Sequence, residues 1–328
     1  MPIRVATGSS MTSISTKCEL LAPAGSLKAL SAAIAAGADA VYVGGEGFNM
    51  RGWIPGLGEN DLRIAVDIAN ANGRRIYVTV NTCVREKDLP DLRAYLSTLG
   101  KIRPDALIVW DAATISLCRR LAPEVRLHLS TMANVLNSRA AEFWSEQGIQ
   151  RVCLARELSL AEIAEITKQS DACEFEIFAH GSICIAYAGH CLLTDYLSKG
   201  ESRRGTCRRL CRGEFFLMRA NEEGHALPVF EEADGTYMLN PSDLCMVEHI
   251  PEILASGVHS IKIEGRQRGE RYTYGVIRVY REALDCATRG ESVEELLDDW
   301  LTTLRLHSPR TLSTGFYFSD RSKGAKLT

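Results

Sequence analysis

The sequence predicts an α/β protein of the (β/α)8, TIM-type barrel class, with a cysteine- and arginine-rich insertion between its seventh and eighth strands. Three observations predict it. Short β-type runs alternate with longer helical ones from Glu19 onward. Most of the strand-like runs are near-continuously apolar, as parallel strands buried on both faces are, instead of alternating apolar and polar. Each of the eight also ends in a small or polar tail, and in such barrels the carboxyl ends of the strands form the active-site face.

The strand candidates begin, in order, at Glu19 (ELLAPAG), Ala40 (AVYVGG), Arg75 (RIYVTVNT), Ala106 (ALIVWD), Arg126 (RLHLST), Arg151 (RVCLARE), Glu174 (EFEIFAHG) and Ser260 (SIKIEGR). Between the first seven lie amphipathic segments such as SLKALSAAIAAG, ENDLRIAVDIANANG, LPDLRAYLSTLGKI and SRAAEFWSEQG. Gly37, Gly73, Gly100 and Gly148 stand where left-handed helix caps are expected. The rival architecture, a doubly wound open sheet, lacks support because no GxGxxG follows a first strand.

Length and composition bound the rest. A chain of 328 residues, 46% hydrophobic and 24% charged, is long enough for a sizeable core and unlike a disordered or fibrous chain. A formal net charge of −3 argues against a surface coated in nucleic acid, while leaving room for a local basic patch. No apolar run approaches the ~18 residues of a membrane span. Residues 1–17 lack the apolar core of a signal peptide and read as a disordered lead-in, so a cytoplasmic, reducing setting is expected for the eleven cysteines. Residues 18–328 then form one barrel domain, interrupted at 181–259 by nearly eighty residues where a plain βα unit needs far fewer. A hairpin is expected within that insertion, from Glu214 to Leu239, on the turn signals around Gly224 and Gly235.

The insertion carries the chemistry. Cys184, Cys191, Cys207 and Cys211 are spaced C-x6-C-x15-C-x3-C, whereas the other seven cysteines lie singly in predicted strands or helices and read as small buried hydrophobes. Four thiolates just beyond a barrel strand suit either Zn2+ or an iron–sulfur cluster. The absence of the short C-x2-C pairs usual in zinc ribbons favours iron–sulfur without excluding zinc. From Lys199 to Arg212 six basic residues stand against one acidic residue. Arg203, Arg204, Arg208 and Arg209 thus form a candidate site for RNA phosphates. A solvated surface, or positive charge offsetting an anionic cluster, explains the same run.

Strand ends supply the remaining candidates. His180 closes the seventh strand four residues before Cys184. Arg156-Glu157 follows the sixth, and Arg266 follows the eighth after Glu264-Gly265. Arginine suits bidentate recognition of carboxylates, although each of these could pair with a neighbouring acid instead. No HExxH, GxSxG or P-loop pattern is present, so nothing in the sequence calls for a hydrolase.

With those residues in hand, the chain resembles the family historically labelled peptidase U32. The resemblance runs from Glu19 to about Phe318 and is carried by ELLAPAG, GADAVYVG, ARELSL, HGSICIAYAGHCLLTDYLS, RGTCRRLCR, GTYMLNPSDLC and SIKIEGR. It implies a barrel core and a four-cysteine iron–sulfur site of the 4Fe-4S type, with Cys184, Cys191, Cys207 and Cys211 matching the cluster ligands one by one.

Members similar to it carry out oxygen-independent hydroxylation. One branch acts at C5 of the tRNA wobble uridine using prephenate, another on a cytidine of ribosomal RNA, and a third, as a paired complex, on ubiquinone precursors. The presence of both Cys207 and Cys211 resembles the RNA-modifying branches. The resemblance therefore implies an iron–sulfur tRNA hydroxylase with prephenate as co-substrate, the alternatives being a quinone-hydroxylase subunit or a peptidase. Longer RNA-modifying members continue into further C-terminal domains, so a second U32-family subunit is an expected partner beside tRNA or other RNA. In this reading Arg156 and Arg266 hold the donor's carboxylates, with Glu157 beside them, and His180 moves a proton.

Overall fold

The computed structural model describes residues 18–50, 56–184, 186–192, 216–218, 226–228, 242–308 and 310–318. In chain order the strands are β1 (Glu19–Pro23), β2 (Ala40–Gly44), β3 (Arg75–Thr79), β4 (Ala106–Val109), β5 (Arg126–Leu129), β6 (Arg151–Cys153) and β7 (Glu174–Ser182). There follow β8 (Phe216–Met218), β9 (Ala226–Pro228), β10 (Asp243–Cys245), β11 (Ser260–Ile263) and β12 (Leu312–Ser313). β1 to β7 pair in parallel in sequence order, and β11 closes the ring by pairing in parallel with both β7 and β1. The protein is a TIM barrel. All eight barrel strands begin where the apolar runs placed them.

The helices follow their strands with local signals at their starts. α1 (Leu27–Ala35) is capped by Ser26, whose hydroxyl accepts from the Ala29 amide at 3.2 Å. α2 (Glu59–Ala71) carries Glu59 and Asp61 in its first turn, where they favour the positive end of the helix dipole. α3 (Leu89–Ile102) starts with proline at its second residue. Asp111 caps α4 (Ala112–Leu121), Asn137 caps α5 (Ser138–Glu146), and Ser159 with Glu162 forms a capping box on α6 (Leu160–Gln169). α7 (Ile250–Ala255), α8 (Glu270–Arg289) and α9 (Glu294–His307) complete the order. Among the described residues no helix is long and apolar enough to cross a membrane.

Two sequence expectations need revision. Gly37, Gly73 and Gly148 adopt positive φ as expected, but Gly100 lies inside α3, and Arg103 takes the left-handed cap at φ 56°. Gly100 is required for a different reason: a Cβ there would lie 2.5 Å from the Leu121 carbonyl oxygen on α4. The inserted segment is also shorter than 181–259. Gly181 and Ser182 complete β7, while residues 243–259 supply β10 and α7, the barrel's own helix before β11. β10 runs antiparallel to the end of β7, and β12 pairs in parallel with β10. The predicted hairpin is present as the antiparallel pair β8–β9. The lead-in, 1–17, lies outside the described residues.

The barrel's inner face is unusual for the charge it buries. Glu19 on β1 and Arg151 on β6 form an ion pair although their strands are not neighbours, so both side chains cross the interior. Tyr77 on β3 donates to Glu19 at 2.7 Å, Ser260 on β11 donates to it at 3.2 Å, and Arg75 meets it at 2.6 Å. Arg151 also meets Glu174 at 2.7 Å and Glu176 at 3.6 Å, and Glu176 takes the ammonium of Lys262 at 2.8 Å. Burial alone would push the Glu176 carboxyl up, but Lys262 and Arg151 hold it below its ordinary value. Beside these charges a cluster of Leu21, Ala40, Tyr42, Tyr77, Ala106 and Ile108 packs separately from the larger core.

Candidate functional site

At the carboxyl ends of the strands the barrel opens into a cavity of about 1120 Å³, its open mouth included. Tyr42, Thr79, Ile108, Cys153, Phe178 and Lys262 rise into it from β2, β3, β4, β6, β7 and β11. Asn81, Ser130, Met132, Arg156, Glu264 and Arg266 line it from just beyond the strand ends, and Cys184, Gly189 and Cys191 from the segment after β7. Apolar walls with a few converging polar groups are the usual make-up of a small-molecule site.

Arg266 is buried, donating to Thr79 Oγ1 at 2.7 Å and lying 3.4 Å from Asn49 Oδ1. The glycine tails of β1 and β2 make this possible. A Cβ on Gly44 would fall 2.1 Å from Arg266 Nη1, and one on Gly25 would fall 2.2 Å from the Arg266 carbonyl oxygen. Arg156 stacks its guanidinium 3.8 Å from the Phe178 ring centre and donates from Nη1 to the Ser182 carbonyl at 2.8 Å. Its Nε is buried and has no hydrogen-bond partner among the described residues. A planar cation held by ring and carbonyl, with a donor unsatisfied, is prepared for an anionic ligand.

The other predicted residues fall elsewhere. His180 does not line this cavity; it lines a smaller crevice beside it, with Asp243, Arg268 and Tyr272. It is buried, with Nδ1 3.3 Å from the Tyr280 hydroxyl, and burial brings its pKa down to about 4, so the ring is neutral at pH 7. Glu157 is half-buried next to Arg156 and is not among the lining residues. Glu264, by contrast, lines both the cavity and the crevice. Sequence reasoning placed no role on Glu264 or Lys262, although both stand in SIKIEGR, two and four residues respectively before Arg266. A charged residue within an otherwise apolar strand is the signal that marks Lys262.

Cys184 and Cys191 line the same cavity, Cys184 half-buried and Cys191 buried. His190 ties their segment to the barrel by donating from Nε2 to the Met132 carbonyl at 3.2 Å. Cys207 and Cys211, like Arg203, Arg204, Arg208 and Arg209, lie outside the described residues. Among the described residues no group of three or more His, Cys, Asp or Glu side chains is placed to hold a metal ion. Cys184 and Cys191 both line the cavity and are chemically suited to two positions of a four-thiolate donor set. The strand and helix cysteines are different in kind, Cys153 on the cavity wall included: burial pushes Cys18, Cys118 and Cys153 up to about 12, which keeps them as thiols. Cys245 is buried in β10, 3.9 Å from the Tyr280 hydroxyl.

Comparison with known proteins adds the family. Residues 25–326 match the model of peptidase family U32. The tRNA hydroxylation protein P1 of Bacillus subtilis is 36% identical over 304 residues, covering 93% of this chain and 72% of that protein. Protein P2 of the same organism, also named for tRNA hydroxylation, is 31% identical over 308 residues, covering 93% of this chain and 98% of that protein. A Porphyromonas gingivalis protein named collagenase is 33% identical over 314 residues, covering 92% of this chain and 74% of that protein. A family match over most of the chain, with relatives above 30% identity along it, means that this chain belongs to peptidase family U32.

Proposed function

We propose that the chain hydroxylates tRNA, at C5 of the wobble uridine, without molecular oxygen and with prephenate as co-substrate. The observation that carries this reading is the shared cavity, in which Cys184 and Cys191 face Arg156, Lys262 and Arg266. Relatives named for tRNA hydroxylation supply the reaction class. A donor with two carboxylates matches two guanidinium groups lining one cavity, a group type that forms charge-assisted hydrogen bonds with carboxylates. Arg156 and Arg266 bind and orient that donor, Phe178 backs the Arg156 plane, and the apolar walls exclude water.

Cys184 and Cys191, with Cys207 and Cys211, would hold an iron–sulfur cluster, which when bound supplies electron transfer at the cavity mouth. Glu264 is better placed than His180 to hold or move a proton in the cavity, since His180 is neutral and sits behind the wall. The basic residues Arg203, Arg204, Arg208 and Arg209 meet RNA phosphates, and a second U32-family subunit completes the assembly. A cytoplasmic setting accords with the cysteine-rich, reducing-compartment composition.

The test is nucleoside analysis of tRNA from a deletion strain, complemented with the wild-type chain or with Cys191→Ala. Loss of a hydroxylated uridine on deletion, restored by the wild type and not by the variant, supports the reading. An unchanged nucleoside profile overturns it, and cleavage of unstructured protein substrates by the purified chain would favour the peptidase function that the collagenase relative's name suggests.

A further inference from the structure

We infer that His190 is a positioning residue that locks the Cys191 thiol over the cavity by clamping its loop to the ends of three consecutive barrel strands. The loop leaves β7, and its residues 186–192 dock on the far side of the mouth. His190 donates from Nε2 to the carbonyl of Met132, just beyond β5, at 3.2 Å. Its ring meets Trp110, just beyond β4, edge to face at 5.2 Å. Trp110 is itself fixed, donating from Nε1 to the carbonyl of Asn81, just beyond β3, at 2.9 Å. Gly189 lets the loop approach this closely: its φ is +75°, and a Cβ there would fall 2.3 Å from Met132 Cε.

The loop also turns on itself at this point, the His190 amide donating to the Tyr187 carbonyl at 2.9 Å. Cys184 is held at the β7 side, next to Ser182, whose carbonyl receives Arg156. Cys191 is therefore carried across the mouth, and its neighbour His190 sets where it stops. Because Met132 and Asn81 line the cavity, the same clamp couples the thiol's position to the walls of the donor site. The purpose of the clamp rests on the cluster reading above; its geometry rests on the described residues alone.

The experiment compares the full chain with His190→Ala, His190→Gln and Trp110→Leu. Iron and sulfide analysis of the anaerobically purified wild type decides the cluster reading by itself. The clamp is read separately, after chelation, as the rate at which a small alkylating reagent modifies Cys191 and Cys184, followed by peptide mass spectrometry. In His190→Ala the Cys191 rate is expected to rise about tenfold, the equivalent of losing one hydrogen bond and a ring contact, while Cys184 changes little. His190→Gln, which can still donate to Met132, recovers part of the protection, and Trp110→Leu loses part of it. In cluster-bearing protein the same order is expected for the rate of bleaching by chelator. Wild-type alkylation rates at Cys191 in His190→Ala, or an equal rise at both cysteines from general loosening, overturn the inference whether or not iron is present.

Discussion

The two ends of the barrel treat buried charge in opposite ways. From the amino end Glu19, Arg151 and Glu176 form a ladder in which each charge meets an opposite one, and Lys262, which also lines the cavity, closes its upper end. At the carboxyl end Arg156 has no carboxylate partner among the described residues; ring, carbonyl and cavity surround it, and its Nε is unpaired. Charge that closes on itself holds a fold together, and charge left open is available to a ligand. His128 is the exception at the closed end: both ring nitrogens lack partners among the described residues, and burial keeps its pKa well below the usual value, so it stays neutral.

The sharpest way to break this contrast is to remove one arginine from each end. Arg151→Met leaves Glu19 and Glu176 buried without their shared partner, and a loss of about 3–5 kcal/mol in denaturant unfolding is expected. A loss below about 1 kcal/mol would show that the ladder is not holding the barrel. Arg156→Met removes a charge that has no acid to strand, so its stability cost should stay under about 1 kcal/mol. Its effect belongs to the donor: a KM raised about 10–100-fold is expected, the range for a hydrogen bond to a charged group. Equal stability losses from the two substitutions would erase the distinction.

Acid sharpens the comparison further. The carboxyls of Glu176 and Asp243 are depressed in the folded chain, where Lys262 with Arg151, and Arg310, respectively, outweigh burial. Their contribution is present above the unfolded carboxyl value of about 4 and is lost as pH falls through the lower folded values. His180 acts earlier. Its folded pKa of about 4 lies below the ordinary 6.5, so the unfolded chain binds the extra proton and stability declines as pH drops between those two values. Melting temperature measured from pH 7 to pH 2 should fall in both windows, and Arg151→Met should flatten the lower one. Away from both ends, Gly100→Ala should cost about 1–3 kcal/mol in denaturant unfolding, since the added Cβ meets the α4 backbone.

Much of this was legible in the amino-acid order. Continuous apolar runs marked all eight barrel strands, because parallel strands buried on both faces carry no alternation to confuse. The strand-end glycines were legible as tails, but their reason was not: Gly25 and Gly44 are small because Arg266, more than two hundred residues away, passes against them. The ladder was hidden for a similar reason. Glu19, Arg151 and Glu176 each look like an ordinary strand charge, and only closure of the ring brings them together with Lys262. β10 and β12 are three and two residues long and pair outside the regular barrel order, too short for a periodic signal. His180, a strand-end histidine, lies beyond the cavity wall because the β7–β11 register shifts between Lys262 and Ile263, the residue that pairs with it.

We place tRNA hydroxylation at the open end of the barrel. Mass-spectrometric quantification of hydroxylated uridine in tRNA, from a deletion strain carrying wild-type, Arg156→Met or Arg151→Met chains at matched folded levels, tests it most directly. Full restoration by the wild type, little by Arg156→Met, and recovery by Arg151→Met in proportion to the chain that folds are expected. Restoration by Arg156→Met equal to the wild type, or no dependence of the nucleoside on this chain at all, would contradict it.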